Sequence, residues 1–123
     1  MLQSWLKDIG ENCCLAACYY YLSRNGNLNK ADFLRWLSIA MEKGDIAMDD
    51  CYVRNPNNLV KGLVYSAETN NTGKPQIARF YNPRTGFSHF VIAEPNGTIV
   101  WDPLIDSVTV KEGFIKDWRI YND

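Results

Sequence analysis

The sequence contains a single histidine, His89, and no pair of cysteines in C-x-x-C spacing. That removes the usual ligand patterns of a structural zinc site. The one combination left to a metal is Cys13, Cys14, Cys51 and His89, scattered along the chain, and neither a metal nor a cofactor is expected. No apolar run is long enough to cross a bilayer, so no membrane span is expected. Neither sign of charge is in surplus: 13 basic and 14 acidic residues leave a net charge of -1 and no basic stripe for nucleic acid. Internal repeats, linkers and low-complexity segments are missing too. The first residues, Met1 to Asp8, lack the basic start and apolar core of a signal peptide. The expectation is a cytoplasmic protein with reduced thiols. Its 123 residues are read as a single domain, 1–123, with length enough for a proper core and with oligomeric state left open.

What the sequence does have begins at Gly10-Glu11-Asn12-Cys13-Cys14-Leu15-Ala16-Ala17-Cys18-Tyr19-Tyr20-Tyr21-Leu22, where a polar turn runs into a segment apolar on every side. A helix of that kind is a buried helix. Asn12 suits its N-cap, and Arg24-Asn25-Gly26-Asn27 is a stop signal, so a helix is predicted from about Asn12 to Ser23. Upstream, Leu2, Trp5, Leu6 and Ile9 recur at the spacing of a short docked helix. Downstream, Phe33, Leu34, Leu37, Ala40 and Met41 form one stripe of a second helix, from about Asn29 to Glu42. The stretch from Asp45 to Asn55 reads as irregular. Asn55-Pro56 reads as the start of a further helix reaching about Gly62, and 70–75 as an exposed loop.

From Gln76 onward the apolar period changes from 3.6 to two. Strands are predicted over Gln76–Tyr81, Phe87–Glu94 and Thr98–Asp102, with a tight turn at Pro95-Asn96-Gly97. Val108-Thr109-Val110 reads as a short strand, Gly113–Trp118 as one helical turn and Arg119–Tyr121 as a closing strand. Helices followed by antiparallel strands give an α+β class, with N-terminal helices packed on a C-terminal antiparallel sheet.

The chemistry-bearing residues are few. Cys13 falls where the buried helix should begin, and free N–H groups with a positive dipole end favour a thiolate there. A cysteine nucleophile needs a base and a group to orient that base. His89 opens one strand and Asp102 ends the next, so a hairpin centred on Asn96-Gly97 sets them about a diagonal apart. Asp102 would hold one ring nitrogen and leave the other for Cys13. Cys14 and Cys18 read as small core residues, and Tyr19, Tyr20 and Tyr21 as packing. Cys51 sits beside Asp49 and Asp50, which oppose ionisation, and reads as structural.

Asn12-Cys13-Cys14, then His89-Phe90-Val91-Ile92, then Trp101-Asp102-Pro103 and the closing Gly113-Phe114-Ile115-Lys116-Asp117-Trp118 keep one order. In that order the chain resembles the papain-like cysteine peptidases, and within them the branch that processes double-glycine bacteriocin leaders. The resemblance implies a papain-like fold and a thiol protease that cleaves a peptide or isopeptide bond through a Cys13, His89, Asp102 triad. It implies a peptide or protein substrate. The family's oxyanion glutamine has no counterpart at Lys7, which leaves Gln3 or Asn12 for that role. Two alternatives use the same scaffold. One is an inactive papain-like module that binds a peptide; the other is a peptidoglycan amidase of NlpC or CHAP type, or an acyltransferase.

Overall fold

The computed structural model describes residues 13–104 and 107–122. The upstream helix expected over 1–12, with Gln3 and Asn12, lies outside the described residues. The buried helix, α1, spans Cys14–Ser23, with Cys13 as its N-cap. Ala16, Ala17, Cys18, Tyr19 and Tyr20 are all at most 1% exposed, so no face of its middle turns meets water. The second helix, α2, spans Lys30–Glu42. It starts at Asn29 because the side chain of that residue accepts from the Asp32 N–H. Phe33, Leu37 and Ala40 form its buried face. Tyr20 links the two helices by donating its hydroxyl to Asp32 at 2.7 Å, and its ring lies 5.1 Å from that of Phe33.

Five strands follow: β1 (Leu63–Ala67), β2 (Gln76–Asn82), β3 (Phe87–Ala93), β4 (Ile99–Trp101) and β5 (Phe114–Asn122). They form one antiparallel sheet in the order β1-β5-β2-β3-β4. A short helix, α3, spans Val108–Glu112, its first turn capped by Ser107. The class is α+β.

The pleat divides the sheet between two apolar clusters, as a period of two requires. Ile77 and Ile92 join Trp101 and the α1 residues in one; Ala78, Val91 and Ala93 join Phe80, Trp118 and Ile120 in the other. Gln76 is fully buried at the start of β2. Its amide exchanges two hydrogen bonds with the Tyr121 backbone, at 3.1 and 2.9 Å, and so fastens β2 to the end of β5.

Three local expectations are corrected. After Asn55-Pro56 there is only one 3-10 turn, Pro56–Asn58; Gly62 then takes a φ of 127°, which ends any helix, and the chain leaves as edge strand β1. Val108–Glu112 is helical rather than extended, because Ser107 gives the turn an N-cap. Residues 114–118 belong to β5 rather than to a helical turn, because Phe114, Ile115 and Asp117 pair with Tyr81, Phe80 and Arg79 of β2, the register shifting once between Arg79 and Phe80.

Candidate active site

Three elements meet at the start of α1. The first is the β3–β4 hairpin. Ile92 pairs with Trp101, and Asp102 follows Trp101 directly, which brings it within reach of His89. The diagonal expected from the sequence closes as a 2.6 Å hydrogen bond between His89 Nε2 and Asp102 Oδ1. The same carboxylate oxygen accepts from the Leu104 N–H at 2.9 Å, a turn around the fully buried Pro103 that fixes its aim. The two side chains are only 6% and 15% exposed.

The second element is α1 itself. Burial alone would lower the His89 pKa, yet hydrogen bonds to Asp102 and to Cys14, with the charges on both, raise it to about 9. Nε2 is taken by Asp102, and Cys14 is the free thiol close enough to the ring to act on its titration. Cys14 is thus the free thiol near the ring, and the expectation that Cys13 is a free thiolate is corrected. Cys13 Sγ is bonded to Cys51 Sγ across a Cα–Cα distance of 5.2 Å. The reason lies in the start of the helix. Cys13 is the N-cap and Cys14 the first helical residue, one position later than the Asn12 cap implied. Each step around a helix start turns the side chain by roughly 100°. The expectation of four reduced thiols is corrected by the same bond, and only Cys14 and Cys18 are free. Burial, then the proximity of Cys14 and Asp102, push the Cys18 thiol well above its ordinary value, which leaves it an inert core group.

The third element is the segment from Asp45 to Asn55. It folds back through an Ile46–Val53 bridge and bonds from Ala47 N to Tyr52 O (2.8 Å) and from Cys51 N to Ala47 O (3.1 Å). Asp45 anchors it by accepting from the side-chain amides of Asn55 and Asn58, both at 3.1 Å. The disulfide pins this segment to the start of α1. Between them is a cleft of about 440 Å³ bordered by Cys14, Cys51, Tyr52, Val53, Phe90 and Arg119, among others. Arg119 stacks over the Phe90 ring at 5.5 Å and brings a positive charge to this wall.

Sequence reasoning thus brought His89 and Asp102 together, expected a free thiol at Cys13 where Cys14 has it, and missed Cys51 as the partner of Cys13. Nothing in the sequence marks Cys51 for that bond. Among the described residues no group of three or more His, Cys, Asp or Glu is placed to hold a metal ion, and no helix is long and apolar enough to cross a membrane. No protein-family model, no curated protein and no solved structure matches this chain.

Proposed function

We propose that the protein is a cysteine hydrolase of papain-like design that cleaves a peptide or isopeptide bond with Cys14, His89 and Asp102. The observation that carries this reading is the buried 2.6 Å His89–Asp102 pair with a free thiol, Cys14, close by at a helix start. A ring protonated at neutral pH donates through both nitrogens, Nε2 to Asp102 and Nδ1 to the sulfur. In the reaction Cys14 Sγ attacks the carbonyl carbon and His89 gives its proton to the leaving amine. The imidazole then takes a proton from the water that releases the acyl group. Asp102 keeps the ring in place and stabilises its charge. The free N–H groups of the first turn of α1 point to where the oxyanion develops. The cleft beside Cys14 supplies a place for an extended substrate between apolar Phe90 and Val53 and charged Arg119.

Turnover on a peptide library tests the assignment. Cys14→Ala and His89→Ala should each abolish cleavage, and Cys13→Ala should retain it. Wild-type turnover in Cys14→Ala would remove the nucleophile. A second reading, a papain-like module that binds a peptide without cleaving it, is favoured by one observation: Cys14 is only 8% exposed. Binding of library peptides with no cleavage by the wild type would select it.

A further inference from the structure

Two cysteines border one cleft and a third lies bonded beside them. Cys13 and Cys51 are joined, and Cys14 follows Cys13 directly. Cys14 and Cys51 both border the cleft, whereas Cys13 is buried at 4% exposure. Adjacent Cα atoms are about 3.8 Å apart, so Cys14 Cα lies within about 9 Å of Cys51 Cα. A disulfide needs a separation of about 4.4–6.8 Å, so a shift of a few ångströms at most is required. Cys51 is also held with a φ of 60°, a left-handed conformation that residues other than glycine seldom adopt. The Ile46–Val53 bridge and the Cys51–Ala47 hydrogen bond hold it there. Such residues persist where the surroundings over-determine them, and they concentrate at functional and switching sites.

We propose that Cys13, Cys14 and Cys51 form a sulfur-exchange centre, in which the disulfide passes between Cys13–Cys51 and Cys14–Cys51. The Cys14 thiolate attacks Cys51 Sγ, and a Cys14–Cys51 bond forms. The Cys13–Cys51 bond breaks, its electron pair goes to Cys13 Sγ, and that sulfur takes the proton held on His89. One disulfide and one thiol stand on each side of the step, so no oxidant or reductant is consumed. In the first form the Cys14 thiol is free beside His89 and borders the cleft. In the second it is bonded to the opposite wall and can neither attack a substrate nor receive a proton. The centre is thus a covalent mask for Cys14 built from its own neighbours. It needs Cys14 free and near His89, but it does not need the protein to hydrolyse anything.

The test is a map of the linkages in the full chain. Wild type is held at about pH 8, near the ordinary cysteine pKa, quenched in acid and fragmented between residues 13 and 14. Both Cys13–Cys51 and Cys14–Cys51 peptides should be present. In Cys13→Ser, oxidised glutathione should close a Cys14–Cys51 bridge and slow alkylation of Cys14 by on the order of tenfold or more. The proposal is overturned if folded wild type holds Cys13–Cys51 alone and Cys13→Ser alkylates at Cys14 equally fast before and after oxidation. The wild-type map stands even if the variant does not fold. Peptidase assays read a different property, so loss of the hydrolase reading leaves this map unchanged.

Discussion

Breaking the Cys13–Cys51 bond should weaken the fold by a large and calculable amount. The cross-link joins residues 38 apart in sequence. In the chain-entropy description, closing a loop of that length removes about 4 kcal/mol worth of freedom from the unfolded chain. Small domains hold only about 5–15 kcal/mol in all, so the bond is a substantial share. With a urea dependence of about 2 kcal/mol per molar, the unfolding midpoint should fall by roughly 2 M. The assay is equilibrium urea unfolding of wild type with and without a phosphine reductant, and of Cys51→Ser. Reduced wild type and Cys51→Ser should unfold together, and the reductant should not move the variant. The segment from Asp45 to Asn55 should lose protection first, since the Asp45 carboxylate and one bridge are then its main anchors. An unchanged midpoint in reduced wild type, or a reductant effect that persists in Cys51→Ser, would refute the reasoning.

Other perturbations have equally definite outcomes. The His89 pKa lies above its unfolded value, about 9 against 6.5. Its contribution is therefore complete below about pH 6.5 and lost as pH rises through 9, a decline of no more than about 3–4 kcal/mol readable by thermal unfolding across that range. Gln76→Leu should cost about 1–3 kcal/mol, because the Tyr121 backbone groups lose both amide bonds; an unchanged urea midpoint would make that pair dispensable. Gly113→Ala should destabilise by about 1–3 kcal/mol or more, since a Cβ there runs into the carbonyl oxygens of Thr109 and Tyr81; wild-type stability would show that the backbone yields freely. Asp102→Asn should slow any cleavage by on the order of 10²–10⁴-fold, less than loss of Cys14 or His89, because an amide still holds the ring though in the wrong tautomer; unaltered turnover would reduce Asp102 to a turn residue.

The parts of the fold that were legible in the sequence are those specified locally. The start of α2 near Asn29, the Phe33, Leu37 and Ala40 part of its stripe and the Asn96-Gly97 turn each depend on residues a few positions apart, and they fell where expected, whereas Leu34, placed on the stripe, is 42% exposed. The His89–Asp102 pair was legible for the same reason, because a tight hairpin fixes the register of its strands. Long-range pairing was not legible. β1 exists because β5, at the far end of the chain, lies beside it, and Leu63 at 65% exposure has no local signature of a strand. Phe114 to Lys116 gave a similar ambiguity, settled by pairing with Tyr81 and Phe80 of β2 rather than by propensity. At the site, one residue of helix phase decided between Cys13 and Cys14. Helix ends are the least sharply written feature of a sequence, and here that single step exchanged a disulfide cysteine for a free one.

His89 is the only histidine, so its ring signals in nuclear magnetic resonance need no assignment. A pH titration of those signals, in wild type, Cys14→Ser, Cys13→Ser and Asp102→Asn, tests the Cys14–His89–Asp102 arrangement most directly. Wild type should titrate at about 9, with both ring nitrogens protonated at neutral pH. Cys14→Ser and Asp102→Asn should each bring the midpoint down toward the ordinary histidine value of about 6.5. Cys13→Ser should leave it near 9 so long as Cys14 stays reduced. A wild-type midpoint at or below about 6.5, or a midpoint that follows Cys13 and ignores Cys14, would contradict the account.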